Sequence, residues 1–415
     1  MNPFPIVWAS LLRNRFTVIL FIVVVALAVA LGIAISAQER ALRVGSARAA
    51  DRFDLIVAAP GSFNDVLFSV VYLNPTAVEL LDPTVTRALL AEPQADFVAP
   101  IGFGDNIDGA PVVGTIAPFV EHLSQGLAEG RSFTAINEAV VGALSPHRLG
   151  DSLAVSHGHG AGGGGDADDA ADALEAGGEA PDHGDHDNLT VVGRMQPTGT
   201  PWDRAIVVPI EYNWVAHGLG TGHAAGDTHL GLPFDGDALP GLPAIVVKPA
   251  NVAAAYGLRG QYRTAQSTAF FPAEVLVELY AVLGDATAIM SGLTLAAQAL
   301  VIAAILAGIV AILDLQRQRF AVLRALGASR SFIFVTVWVY VAAMIVTGAL
   351  IGLVLGWGLA AIVSELLAQN TGVAMRATIG GRELGLVGAL VALGLALATI
   401  PALLIYRRPV VEALR

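Results

Sequence analysis

The chain has 415 residues, 55% of them hydrophobic and only 14% charged, with no cysteine and a formal net charge of −12. This is too apolar for an ordinary water-soluble protein. The acidic balance gives no footprint for nucleic acid, and the missing cysteines exclude disulfides and thiolate metal sites.

In chain order, residues 1–15 read as a cytoplasmic N-terminus and 16–37 as a first membrane helix. Its apolar run is longer than the roughly 7–15 residues of a signal-peptide core, so it reads as retained. Residues 38–285 hold most of the acids and nearly all the Gly/Pro-rich turns, and read as an extracytoplasmic α+β domain. Strand candidates there are "FDLIVAA", "APVVGTIA", "EAVVGA", "DSLAVS", "NLTVVGRM", "DRAIVVPI" and "PAIVVKP", which alternate or are rich in β-branched residues. "NPTAVELLDPTVTRALLAE" and "PAEVLVELYAVLGDATAIM" read as helices, the second running on into the membrane. Residues 156–187, rich in His, Asp and Gly, fall between two strand candidates and are placed at the tip of a hairpin; a tip of this length is either functional or disordered.

Three more segments, 286–313, 331–363 and 384–406, can each cross about 30 Å of hydrocarbon. The expected fold class is therefore an integral membrane α-helical protein with four transmembrane helices and a large α+β extracytoplasmic domain between helices 1 and 2. The 314–330 connection carries Arg317, Arg319, Arg324 and Arg330 against Asp314, and the 407–415 tail carries Arg407, Arg408 and Arg415 against Glu412; both are placed in the cytoplasm. The balanced 364–383 loop is placed outside. Arg40, Arg43, Arg48 and Arg52 disagree with that orientation, but long domains translocate largely regardless of such charges. In the third span, Gly348, Gly352 and Gly356 recur every four residues, the spacing that lets two helix backbones approach closely.

Within "RFAVLRALGASRSF", Phe320, Leu323 and Leu326 share a helix face, Gly327 suits a left-handed C′ position and Ser329 can cap the next helix. By spacing alone this is either a basic cytoplasmic loop with snorkelling arginines or a short functional helix. The run "QRQRFAVLRALGASRSFIF" and the closing "RRPVVEALR" resemble the MacB/FtsX-type permeases, membrane subunits of a class of ABC transporters. The ending differs from the family's Pro-x-Glu-Ala-Leu-Arg by one extra valine. The resemblance implies that 314–330 is a coupling helix docking on a partner ATPase. Arg317, Arg319 and Arg324 would pair with its surface, Phe320 and Leu323 would fill its groove, and Gly327 would end the helix. It further implies a second permease copy, a bacterial cytoplasmic (inner) membrane with its lipid as surroundings, and mechanical relay of motion to the outer domain.

No enzyme is expected. The chain lacks G-x-x-x-x-G-K-[ST], so ATP enters only through the partner subunit. Ser156, His157 and Asp166 could be written as a triad, but glycine-rich chain cannot hold a nucleophile and base in fixed geometry. A metal reading competes evenly with that of a solvated acidic tether. His157 and His159 lie one residue apart, His183 and His186 two apart, and His217, His223 and His229 follow in "WVAHGLGTGHAAGDTH". Imidazole with carboxylate suits zinc or another divalent transition metal. "DLIVAAPGSFNDVLFSVVYLNP" and "GRMQPTGTPWDRAIVVPIEYNWVAHG" look like a subgroup of these permeases linked to metal-related transport. That likeness favours His157 and His217 for an ordered site, with His183 or His186 completing it. The functional expectation is a permease in transport, efflux or lipoprotein extraction, with a periplasmic binding protein or adaptor as further partner. The alternative is a non-transporting relay that switches an outer partner such as a cell-wall hydrolase.

Overall fold

The computed structural model describes residues 2–74, 76–154, 188–236, 238–281 and 327–407, with isolated helical positions between 292 and 323. The chain forms two units: one of residues 1–44, 281–368 and 375–415, the other of residues 45–280 with 369–374.

The first unit is helical. Helix α1 (Phe4–Arg13) lies in the stretch that reads as a cytoplasmic N-terminus, starting between two prolines that suit a first turn. Helix α2 (Arg15–Ala50) runs well beyond the expected residue 37, because "AQERALRVGSARAA" is dominated by good helix formers. Helices α8 (Arg330–Thr371) and α9 (Gly381–Arg407) complete the described part. Among the described residues three helices are long and apolar enough to cross a membrane: Arg15–Ala50, Arg330–Thr371 and Gly381–Thr399. The expected span at 286–313 lies outside the described residues apart from single positions. The unit's core packs Val18, Phe21, Val25, Val29 and Ile33 of α2 against Ile333, Val337, Val341, Met344 and Ile345 of α8, with Ala398 of α9.

The second unit is built on a ten-stranded mixed sheet. The strands are β1 (Leu55–Ala58), β2 (Ala95–Ile107), β3 (Ala110–Thr115), β4 (Leu127–Gly130), β5 (Glu138–Val141), β6 (Ser152–Ala154), β7 (Asn188–Met195), β8 (Ile206–Pro209), β9 (Ala244–Pro249) and β10 (Thr268–Phe270). The order is β10-β1-β9-β2-β3-β8-β5-β7-β4, with β6 on β7. The 13-residue β2 pairs with β9 through its first half and with β3 through its second, shifting register between Phe103 and Asn106. Strands β6 and β7 pair antiparallel on either side of 155–187, Ser152 opposite Thr190 and Ala154 opposite Asn188.

Apolar runs alternate across the sheet because side chains of a strand point to opposite faces. Ile56, Val246 and Val207 join one core layer, with α3 (Phe63–Val70), α5 (Ala117–Ser124) and Trp202. Leu55, Val57, Ile245 and Val247 face the other way, onto α4 (Pro83–Leu90), α6 (Ile210–Ala216) and α7 (Val252–Gln261). Trp202 is fully buried against Phe53 and Phe119, its indole N–H donating to the Val70 carbonyl at 3.2 Å. The helix expected over "NPTAVELLDPTVTRALLAE" is cut to Pro83–Leu90. Pro83 disfavours helix in the residue before it, and Asp82 instead caps the new helix by accepting from the Thr84 and Val85 N–H groups.

Candidate functional sites

Of the expected coupling residues, Arg317, Arg319, Phe320 and Arg324 lie outside the described residues. Leu323 is half-buried and packs on the core of the helical unit. Gly327 has φ +93°, and the Ala328 N–H donates to the Leu323 carbonyl at 3.0 Å, the six-to-one bond of a Schellman turn. Ser329 Oγ then accepts from the Phe332 N–H at 3.2 Å and caps α8. The turn at Gly327 is thus followed directly by the cap and first turn of α8.

The three α8 glycines face α2. A Cβ on Gly348 would lie 2.8 Å from Val25 Cβ, one on Gly352 would lie 2.5 Å from the Ala26 carbonyl oxygen, and one on Gly356 would lie 2.7 Å from the Ala30 carbonyl oxygen. Gly358, on the opposite side, would meet nothing within 4 Å. As α8 advances by four residues so does α2, so the two helices run parallel.

A polar junction joins α2 to the start of α9. The Glu383 carboxylate, fully buried, accepts from Ser36 Oγ at 2.7 Å, Arg40 Nη2 at 2.6 Å and the Gly380 N–H at 2.8 Å. Arg40 also donates to the Thr378 carbonyl at 2.8 Å, Arg43 pairs with Glu39 at 3.1 Å, and Arg52 donates to the His122 and Leu123 carbonyls. Three of the four arginines that disagree with the orientation rule are therefore engaged within the protein. The arginines stand out in the sequence only as charges on the unexpected side, and their partner does not, because Glu383 reads there only as one charge of a balanced loop.

Of the expected metal ligands, His157, His159, His183 and His186 lie outside the described residues. His217 caps the end of α6, its Nδ1 2.7 Å from the Asn213 carbonyl oxygen and its Nε2 3.6 Å from Asp105 Oδ1. The structure brings another histidine to a carboxylate cluster. His223 is buried, its Nε2 3.1 Å from Glu211 Oε1, and its Nδ1 faces Asp235 Oδ1 at 4.0 Å. Among the described residues, His223, Asp227 and Asp235 form a group whose ligand atoms lie within 4.8 Å of one another. The loop that holds them depends on glycine at two places. Gly222 has φ +79°, and Gly236 approaches so closely that a Cβ would meet the Gly222 carbonyl oxygen at 2.8 Å, while its N–H donates to that same oxygen at 2.9 Å. Sequence reading names His223 among the histidines of this stretch but favours His217, and it misses Asp227, Asp235 and Glu211. The available signal was the regular acid and glycine punctuation of "GHAAGDTHLGLPFDGD".

Residues 289–410 match the family described as FtsX-like permease C-terminal. The periplasmic region of MacB from Actinobacillus actinomycetemcomitans is similar to the chain at TM-score 0.33 and 10% identity, over 56% of this chain and 95% of that one. The extracellular domain of the noncanonic ABC-type transporter YknZ from Gram-positive bacteria is similar at TM-score 0.29 and 8% identity, over 52% of this chain and 98% of that one. Scores this low carry no weight for fold or function. No curated protein matches the chain. The matched residues take in the basic 314–330 connection and all of the helix that the glycines seat on α2, and it is over this part that the chain is similar to the FtsX-like permeases.

Proposed function

We propose that this chain is the permease subunit through which a partner ATPase moves a domain outside the membrane, working in transport, efflux or lipoprotein extraction. The observation that carries the reading is the taut link at Gly327: a basic segment ends in a Schellman turn and Ser329 caps α8 directly, so a displacement of 314–326 passes to α8 rather than into a loop. The close packing of α8 on α2 supports a rigid relay, since helices in contact at glycine move together more readily than they separate. Two permease copies and two ATPases in a bacterial cytoplasmic membrane complete the assembly.

The test is charge reversal in the basic segment. Arg319→Glu and Arg324→Glu chains, expressed with the partner ATPase, should insert normally. They should lose co-purification and stimulated ATP hydrolysis, since reversing one member of a docked charge pair costs about 2–5 kcal/mol. Wild-type levels of both in both variants would reduce 314–330 to a connecting loop.

A further inference from the structure

The 218–241 loop of the sheet domain contains an imidazole arranged as metal-ligating histidines are. Glu211 Oε1 accepts the Gly231 N–H at 2.6 Å, which fixes this oxygen as an acceptor, and the same oxygen lies 3.1 Å from His223 Nε2. Nε2 therefore carries the proton and Nδ1 carries the lone pair. The His223 side chain is only 1% exposed, and its Nδ1 is buried with no hydrogen-bond partner. The ring is held in place by Phe234, 5.0 Å away, which in turn packs on Trp214 at 5.2 Å.

What Nδ1 faces is two more acceptors. Asp235 Oδ1 is 4.0 Å away and is itself oriented by the Ala224 N–H at 3.1 Å; Asp227 Oδ1 is oriented by the His229 N–H at 2.9 Å. A lone pair and two carboxylates turned toward one another repel unless something positive lies among them. A spacing of 4.0 Å is too long for a hydrogen bond and stands a few tenths of an ångström above the roughly 3.3–3.6 Å between two tetrahedral ligands of one ion at bond lengths of about 2.0–2.2 Å, so a small turn of the exposed Asp235 side chain closes it. We infer that His223 Nδ1, Asp227 and Asp235 bind one divalent transition cation, with Glu211 as the positioning carboxylate behind the histidine. The nitrogen ligand selects against calcium and magnesium, which take oxygen ligands, and one imidazole with carboxylates fits zinc, cobalt or manganese. The competing arrangement is a cationic His223 that balances the acids. It leaves the three carboxylates Glu211, Asp227 and Asp235 facing a single positive charge, where a divalent ion supplies two.

The site stands apart from the coupling reading, because ATPase stimulation reports on 314–330 and metal titration reports on this loop; either can fail alone. The test uses the full chain in detergent, with His157, His159, His183 and His186 replaced by alanine in every sample so that they contribute no ligands. Co²⁺ is titrated and followed by its visible absorption, then displaced with Zn²⁺. The parent should take up one tight equivalent, and Asp227→Asn and Asp235→Asn should each weaken it by about tenfold or more, as loss of a ligand does. Both aspartates are exposed and repel their neighbours when no cation is bound, so asparagine should not lower the metal-free melting temperature. A Glu211→Gln chain should bind more weakly while keeping the same ligand spectrum. Absence of a tight equivalent in the parent, or equal binding by parent and both asparagine variants, would overturn the assignment. So would metal-independent destabilisation by Asp235→Asn with no change in binding, which is the mark of a cationic His223.

Discussion

Single side chains of the sheet domain set distinct pH windows. Glu138 receives both guanidinium arms of Arg131 and the Thr134 and Ala135 N–H groups, and the Arg131 bonds above all hold its carboxyl down to about 2 from 4.5. A folded-state value below the unfolded one means stability that is complete above about 4.5 and lost as the pH falls toward 2. His122 acts higher: burial depresses it below 6.5 despite its hydrogen bond to the Arg52 carbonyl, so its contribution is complete above 6.5 and drains away as the pH falls below it. The melting temperature, read by tryptophan fluorescence, should therefore fall in two stages on acidification. The upper stage should be missing in His122→Gln and the lower one in Glu138→Gln; profiles that superimpose on the parent would refute these assignments. At the α2–α9 junction, Glu383→Ala leaves the Arg40 guanidinium and Ser36 without their shared acceptor. It should cost on the order of 2 kcal/mol, because Arg40 is one-third exposed and water screens part of the loss. A melting temperature in detergent equal to the parent's would show the pair to be dispensable. The sequence shows Arg40 as a charge out of place but not its partner, since nothing local links it to a carboxylate on a distant helix.

At the scale of elements, the α2–α8 contact is where local pattern and packing agree most fully. Glycine every fourth residue is readable as a face, but the identity of the opposing helix is not; only the structure supplies Val25, Ala26, Val29, Ala30 and Ile33 as the surface they meet. Gly352→Val should force α8 off α2, at about 1–3 kcal/mol for overpacking. Gly358→Ala, with open space around it, should be neutral or slightly stabilising through helix propensity. Thermal unfolding of the two variants in the same detergent checks this, and equal behaviour would remove the seam's claimed role. Boundaries were less legible than faces. Helix α2 outlasts its apolar run because helix propensity needs no membrane, and the helix before Pro83 disappears because a turn-capping Asp-Pro overrides an apolar pattern.

For the whole molecule, the parallel course of α2 and α8 has a topological consequence. The chain leaves α2 at one end of the helical unit and must re-enter α8 at the other, so between Ala50 and Arg330 it returns across the length of these helices. The apolar stretch 286–313 is available for that return. Four crossings, with Ser152 and Ser329 on opposite sides, follow as a prediction. The chain has no cysteine, so single Ser152→Cys and Ser329→Cys variants report without background. In intact spheroplasts an impermeant thiol reagent should label the first and spare the second, and labelling of both would reject the orientation.

By itself the sequence determined the division into apolar ends and an acidic middle, the glycine face of α8, the turn at Gly327 and the strands with clear alternation. All of these are set by neighbours a few residues apart, through helix and strand periods and backbone conformational preference. Tertiary structure alone decided that β3 lies beside β8 and β5 beside β7, that Ser36 meets Glu383 across 347 positions, and that His223, not His217, turns its free nitrogen toward two carboxylates. The reason is the same in each case. Such contacts depend on the path the backbone takes between distant segments, here on a sheet that continues across β2 from β9 to β3 and on a glycine close enough to touch another glycine's carbonyl. No local period in the sequence encodes that path.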